Sequence, residues 1–163
     1  MTRRIILTRH AKSSWSSPAA TDHDRPLNGR GTRSATAIGA WLKAKGHVPA
    51  LILSSDARRT TETTERIIEA LETSPPVEFH ADLYHAPPNR IIAHLSAQTA
   101  FPVLLVAHNP GIAMAAEALA ETPPDHDRFF DYPTGATLVM EFDGDIAPGS
   151  GRVLDFVVPR DLD

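Results

Sequence analysis

The most constraining feature of this sequence is a short apolar run near the N-terminus that stops abruptly on an arginine and a histidine. Residues 5–8 predict a buried strand, and Arg9 and His10 follow it directly. In open α/β sheets, ligands bind beyond the carboxyl ends of the strands, so a central strand here would deliver both side chains to that crevice. A surface Arg-His pair is the alternative, because a single histidine is a weak indication of function.

A second apolar run, residues 50–53, also predicts a buried strand that leads into charged residues. Residues 54–56 (Ser-Ser-Asp) are candidate N-caps for the following helix, which places Arg58 and Arg59 in its first turn. Cations there oppose the helix dipole by some tenths of a kcal/mol, and a bound anion would offset that cost. Solvated surface arginines are the alternative.

A third apolar run, residues 102–106, predicts a strand that ends just before His108. Asn109 is the predicted N-cap and Pro110 the first residue of an alanine-rich helix that continues to about Ala120. The imidazole would then lie beside the free N–H groups of a helix N-terminus, a position that favours phosphate. A partly buried core histidine is the alternative.

The rest of the chain completes an alternation of strands and helices. The predicted elements are a helix from the Asn28 cap to the Gly46 stop, a strand over 77–80, a short helix around 91–95 and strands over 136–142 and 153–158. This order predicts an α/β fold: a three-layer α/β/α sandwich whose central sheet is mostly parallel with an antiparallel edge. We expect a single domain over residues 1–163.

Composition excludes several classes of function. A net charge of -4 argues against nonspecific nucleic-acid binding, although local arginines could still hold an anion. The absence of cysteine excludes disulfides, thiolate catalysis and cysteine metal ligands. No apolar run approaches about 18 residues, so we expect a cytoplasmic protein without membrane contact. The Asp-His-Asp clusters at 22–24 and 125–127 lack the spacing of known ligand sets, so we expect no metal and no cofactor.

The residue types at the three strand ends suit phosphoryl chemistry. Guanidiniums bind phosphoryl oxygens in a fork, and a neutral imidazole can attack phosphorus and carry the group covalently. Nearby arginines should lower the imidazole pKa and keep this nucleophile unprotonated near neutral pH. The sequence therefore predicts a phosphate pocket.

Five motifs carry these residues, in this order: LTRHAKSSW at 7–15, DRPLNGRG at 24–31, SSDARRTTET at 54–63, LLVAHNPG at 104–111 and YPTGA at 132–136. Together they resemble the histidine phosphatase superfamily, and specifically its short SixA-type phosphohistidine phosphatase branch. The resemblance implies a phosphoglycerate mutase-like fold. It also implies that His10 is the nucleophile that becomes phosphorylated, that Arg9 binds phosphate beside it, and that His108 contacts the phosphoryl group. Asn109 is a further predicted phosphate or substrate contact.

The resemblance also selects between the two adjacent arginines. The family has Ser, then Arg after three intervening residues, then Thr four residues later, and this spacing falls on Ser55, Arg59 and Thr63. Arg59 is therefore preferred over Arg58. Ala11 stands where the superfamily usually has glycine, a small-for-small change that matters only if the backbone needs a positive φ.

The general acid is less clearly indicated. Many superfamily members supply an acidic proton donor after the second helix, where this chain has DLYHAPPN at 82–89 without a glutamate. Asp82 and His85 are the substitutes within reach. The P–N bond of phosphohistidine is labile and needs less acid assistance than an alkyl phosphate ester, which favours protein phosphohistidine as substrate.

The predicted function is a cofactor-independent phosphatase that acts on a phosphorylated protein, such as a phosphotransfer domain, through a covalent phosphohistidine. One alternative is a phosphomonoesterase for a small phosphorylated metabolite. A second is a non-catalytic phosphate- or phosphoprotein-binding module, and a third is a metal-dependent hydrolase. The aromatic residues that could form either the pocket rim or the core are Trp15, Tyr84, Phe129 and Phe130.

Overall fold

The computed structural model describes residues 2–16, 18 and 21–163, and within them six strands form one mixed sheet. The strands are β1 (Arg3–Arg9), β2 (Leu51–Ser55), β3 (Val77–His80), β4 (Val103–Ala107), β5 (Thr137–Phe142) and β6 (Arg152–Val157). Their spatial order is β3-β2-β4-β1-β5-β6. The pairs among β1 to β4 are parallel, whereas β5 runs antiparallel to both β1 and β6. This topology confirms the predicted mostly parallel sheet with an antiparallel edge.

Helices cover both faces of this sheet. They are α1 (Gly29–Ala44), α2 (Arg58–Leu71), α3 (Pro88–Ser96) and α4 (Gly111–Leu119). Successive residues of β1 serve opposite faces, because Ile6 lies in the core cluster under α1 and α2 whereas Ile5 and Leu7 lie in the cluster under α3 and α4. The predicted three-layer sandwich is thereby confirmed. No helix in the described residues combines the length and apolarity needed to cross a membrane.

The first helix has the boundaries that its sequence predicts. The Asn28 side chain accepts a hydrogen bond of 2.8 Å from the Gly31 N–H and so caps α1. Gly46 follows the helix with φ +78°, a left-handed conformation that glycine adopts without strain.

The start of α2 corrects the sequence prediction. Ala57 occupies the N-cap position and makes no side-chain capping bond. Ser54 and Ser55 are the last residues of β2, because their backbones pair with the edge strand β3. The Asp56 side chain, in turn, is 2.9 Å from Nε2 of His23. None of the three predicted caps therefore caps this helix, although the two arginines do lie in its first turn.

The start of α4 is also shifted from the prediction. Pro110 occupies the N-cap position, and the helix begins at Gly111. The Asn109 amide does not cap it, because this amide donates to the backbone carbonyls of Asp131 (3.1 Å) and Tyr132 (3.0 Å) in the loop before β5. His108 nevertheless leaves the strand end as expected.

The register of the central strands places three strand ends at one level. Arg9 of β1 pairs with Ala107 of β4, and Ser54 of β2 pairs with the preceding residue of β4. Because β4 lies between β1 and β2, His108 emerges between His10 and Ser55. The sheet therefore brings both histidines to the same edge.

Candidate active site

A pocket of about 400 Å³ opens beyond these strand ends. Its lining residues are Arg9, His10, Lys12, Ser13, Trp15, Asp22, Arg25, Arg59, His85, His108, Asn109 and Thr134. The structure thus brings together all but one of the predicted site residues. The exception is Asp82, which does not line the pocket.

His10 is held as a neutral imidazole. Its Nδ1 is 2.8 Å from the carbonyl oxygen of Ala11, and because a carbonyl oxygen only accepts, Nδ1 carries the hydrogen and Nε2 the free lone pair. Burial lowers the pKa of His10 to about 3, and Arg9 and Arg59 add to the shift. The pKa is therefore lowered as the sequence predicted, but burial contributes more than the arginines do.

His108 faces His10, with 5.2 Å between the ring centroids. Its Nε2 lies 2.8 Å from the hydroxyl oxygen of Ser55, which also accepts the Ala57 N–H at 3.3 Å. The one hydrogen of that hydroxyl is then free to be donated to Nε2, which puts the ring hydrogen of His108 on Nδ1. This Nδ1 is buried and has no partner among the described residues, so its N–H is available to a ligand.

The pKa of His108 is also low. Burial lowers it to about 2, and the neighbouring His10 and Arg59 act in the same direction. The site therefore contains two uncharged imidazoles at neutral pH, one with a free lone pair and one with a free N–H.

Two arginines of the pocket have defined positions. Arg9 donates from Nη1 to the Tyr132 carbonyl at 3.2 Å, while its buried Nε has no partner among the described residues. Arg59, which is 4% exposed, donates from Nη1 to the Asp22 carbonyl at 2.8 Å and from Nη2 to the Asp22 carboxylate at 3.1 Å. Arg58 instead pairs with Glu62 outside the pocket at 3.1 Å, in agreement with the preference for Arg59.

Asp22 is a residue of the site that the sequence reasoning missed. Its carboxylate accepts hydrogen bonds from the Tyr84 hydroxyl (2.5 Å), from Arg25 (2.7 Å) and from Arg59 (3.1 Å). The bond from Tyr84, followed by those arginines, holds the pKa of Asp22 well below its usual range, so the group is an anion at neutral pH. The sequence carried no signal for the contact with Arg59, because the two residues are 37 positions apart.

The motifs around the pocket are explained by close packing beneath it. Thr63 accepts the Ala11 N–H at 3.0 Å and donates to the carbonyl of Arg59 at 2.7 Å, so one hydroxyl connects the loop after β1 to α2. Gly31 lets the loop after β1 pack on α1, since a Cβ there would lie 2.0 Å from the Lys12 carbonyl oxygen. Ala11 is not among the residues with positive φ, which explains why alanine is tolerated there.

Of the two predicted acids, only His85 is in the pocket. Asp82 is directed elsewhere, with Arg90 at 3.1 Å and His94 at 2.9 Å, which corrects that prediction. The Nε2 of His85 is 3.4 Å from the Asp22 carboxylate. The role of His85 as a general acid stays a prediction. Asn109 as a phosphate contact also stays a prediction, because the side-chain N–H groups that would bind phosphate donate to two backbone carbonyls instead.

Of the four aromatic residues expected at the rim or in the core, three are found there and Phe130 is not. Trp15 is 83% exposed at the pocket mouth, and the Arg25 guanidinium lies 3.4 Å from its ring centroid. Tyr84 reaches the pocket through Asp22. Phe129 is a core residue, and Phe130 is exposed but does not line the pocket.

Comparisons with known sequences agree with this geometry. A family model described as the histidine phosphatase superfamily (branch 1) matches residues 5–85. An uncharacterized chloroplastic protein of Arabidopsis thaliana is 33% identical over 135 residues, which cover 74% of this chain and 60% of that protein. An uncharacterized protein of Mycobacterium tuberculosis is 32% identical over 163 residues, which cover 93% of this chain and 99% of that protein.

Solved structures have the same fold. The SixA protein of Agrobacterium tumefaciens superimposes with a TM-score of 0.81 at 29% identity, covering 96% of this chain and 98% of that one. The protein histidine phosphatase SixA complexed with tungstate superimposes with a TM-score of 0.82 at 24% identity, covering 98% of this chain and 99% of that one. At that lower identity the likeness concerns the fold alone.

Proposed function

The chain belongs to the histidine phosphatase superfamily as a phosphatase of the SixA type, and from that premise we propose that it hydrolyses protein phosphohistidine through a covalent intermediate on His10. The observation that carries the proposal is the facing pair of uncharged imidazoles, His10 and His108, in a pocket lined by Arg9, Arg25 and Arg59. One imidazole has the lone pair that a nucleophile needs, and the other has an N–H for an anionic oxygen.

In the first step, Nε2 of His10 attacks phosphorus and forms a bond to it, while the bond between phosphorus and the substrate nitrogen breaks. The electron pair of the broken bond stays with the substrate imidazole, which takes up a proton from solvent or from His85. Arg9 and Arg59 bind phosphoryl oxygens, and the Nδ1–H of His108 donates to a further one. Arg59 exchanges the Asp22 carboxylate for the phosphoryl group in this step.

In the second step, water attacks phosphorus and the bond from phosphorus to Nε2 of His10 breaks. One proton of the water is released to solvent, inorganic phosphate leaves, and His10 returns to its starting tautomer. The hydrogen bond from Nδ1 of His10 to the Ala11 carbonyl keeps the ring oriented through both steps.

Two features of the pocket favour a protein phosphohistidine. Asp22 is the one carboxylate among the lining residues, and it is ionised, so the pocket lacks a carboxylic acid that could protonate an alkoxide leaving group. The imidazole of a phosphohistidine substrate is a better leaving group than an alkoxide and needs less protonation by a general acid. In addition, Trp15, which stacks on the largely buried Arg25 guanidinium, is exposed at the mouth and suited to contact a protein surface.

The proposal is tested by phosphate release from a phosphohistidine-bearing phosphotransfer protein, alongside an aryl phosphate ester. Acid-labile, base-stable label on acid-quenched enzyme reports the covalent intermediate. We expect label and fast dephosphorylation of the protein substrate by wild type, and neither by His10→Ala. His126→Ala is the matched control, because this histidine pairs with Asp161 outside the pocket and should leave both readouts unchanged.

Two of the other outcomes each select an alternative function, and a third refutes the nucleophile. Label with turnover of the ester alone would identify a phosphomonoesterase for small metabolites. Phosphate binding without label or turnover would identify a binding module. Wild-type turnover by His10→Ala would refute the assigned nucleophile.

A further inference from the structure

A second group of histidines and carboxylates lies outside the active site, at the edge of the sheet. His80 ends β3, Asp82 lies in the 3₁₀ turn Ala81–Leu83, and His94 lies on α3. One potential ligand atom from each of these three residues lies within 4.8 Å of the other two. None of them lines the active-site pocket, and the proposed phosphatase reaction uses none of them.

We propose that His80, Asp82 and His94 bind a divalent transition metal ion of the zinc class. Two imidazole nitrogens and one carboxylate oxygen are a donor set that Zn²⁺ accepts, whereas Mg²⁺ and Ca²⁺ prefer oxygen ligands alone. The carboxylate of Glu78 lies beside His80 but outside this group of three, so the fourth position of a tetrahedral site would fall to solvent.

The distances already approach those of such a site. Nε2 of His94 is 2.9 Å from Oδ1 of Asp82, and Nε2 of His80 is 3.0 Å from Oε1 of Glu78. The two imidazole rings are 4.6 Å apart between centroids. A tetrahedral zinc ion at about 2.0–2.1 Å from each ligand atom separates those atoms by roughly 3.4 Å. Small side-chain rotations would therefore convert the pair of His94 and Asp82 into metal ligands, and His80 would exchange Glu78 for the ion.

Packing around the two histidines favours metal binding, whereas a neighbouring arginine reduces the affinity for a cation. The side chains of His94 and His80 are 16% and 31% exposed, so both rings are partly held by packing before any ion binds. Arg90 donates to Oδ2 of Asp82 at 3.1 Å, which leaves Oδ1 for the ion but places a positive charge nearby. The affinity should therefore be lower than that of closed structural zinc sites.

A metal ion bound here would link Asp82 to His94 of α3, and the chain between these two residues contains a residue of the active-site pocket. The chain between Asp82 and α3 carries His85, which lines the pocket. Metal binding should therefore stabilise the folded protein, because the ion holds β3, the 3₁₀ turn and α3 together and prefers the native state.

The test is a calorimetric titration of untagged, metal-free protein with zinc chloride. We expect one saturable site, no site for Mg²⁺, and at least tenfold weaker zinc binding in both His80→Gln and His94→Gln. His126→Gln is the matched control, because its ring also pairs with a carboxylate, Asp161 at 2.8 Å, but outside this cluster. Its zinc affinity should equal that of wild type.

Thermal unfolding gives a second readout that does not depend on catalysis. Zinc should raise the Tm of wild type and of His126→Gln, and should raise that of His80→Gln much less. His80 lies at the exposed edge strand, so its variant tests the site even if His94→Gln fails to fold. The absence of saturable zinc binding, or affinity unchanged in His80→Gln, would overturn the proposal, and neither result would bear on the phosphatase assignment.

Discussion

Removal of the Ser55 hydroxyl tests whether the second histidine of the site is oriented by this side chain. In the structure the hydroxyl is 2.8 Å from Nε2 of His108, and it is placed to donate its hydrogen there. Without it, the tautomer with the hydrogen on Nε2 becomes accessible, and Nδ1 then turns a lone pair toward an anionic phosphoryl oxygen. Ser55→Ala should therefore weaken transition-state binding.

The size of the effect follows from the burial of the ring. His108 is 2% exposed, and a buried polar atom that loses its partner costs about 1–3 kcal/mol. If about 1.4–2.7 kcal/mol of this appears in the activation barrier, kcat/KM falls roughly tenfold to a hundredfold. The free energy of unfolding should fall by about 1–3 kcal/mol, because the Ser55 hydroxyl makes two hydrogen bonds, one with His108 and one from the Ala57 N–H.

The assay compares Ser55→Ala with Ser54→Ala, the neighbouring residue on β2. The Ser54 hydroxyl is also buried and donates to the Ser55 carbonyl at 2.9 Å, but it makes no hydrogen bond to His108. Both variants should lose similar stability in urea, while only Ser55→Ala should lose kcat/KM and affinity for tungstate. Equal kcat/KM in the two variants would refute the orienting role of Ser55.

Three further predictions concern the charge, the rim and the titration of the site. Asp22→Asn should tighten inhibition by inorganic phosphate at least threefold, or by about 0.7 kcal/mol, because the variant removes the anion that competes with phosphate for Arg59. An unchanged inhibition constant would contradict this competition. Trp15→Ala should lower kcat/KM for the phosphotransfer protein more than for an aryl phosphate, and equal losses would exclude a protein contact at Trp15. The folded pKa of His10, about 3, lies below the ordinary value of 6.5, so the unfolded chain binds the proton first and stability falls as the pH drops below 6.5. Between pH 7 and 5, wild type should lose about 2 kcal/mol more than His10→Ala in urea unfolding, and equal losses would refute a buried neutral ring.

The parts of the fold and site that local sequence determines were predictable. Apolar runs that stop on charged residues located three strand ends, and the order of strands and helices placed those ends at one edge of a sheet. Arg9, His10 and His108 follow from that pattern, because each lies at or directly after a strand end. The Asn28 cap and the Gly46 stop are equally local.

The parts that depend on register or on distant loops were not predictable. Ser55 looked like a helix cap, and its contact with His108 exists only because β2 lies beside β4 in one particular register. Asp22 lies in a polar loop, and nothing near it in sequence indicates Arg59 as its partner. Asp82 lies within the 3₁₀ turn Ala81–Leu83 and His85 follows that turn, so the two residues are only three positions apart, yet only His85 lines the pocket.

The contacts of Asp22 also explain how a chain with a net charge of -4 maintains a cationic pocket. The Asp22 backbone carbonyl and carboxylate each accept one hydrogen bond from the Arg59 guanidinium, and the carboxylate also pairs with Arg25. In the proposed reaction, a phosphoryl group that enters the pocket exchanges one anionic partner of Arg59 for another, rather than binding to a bare cation. Such an exchange lowers the affinity for any phosphate, including the product, and a lower affinity for the product favours its release after the second step, the hydrolysis.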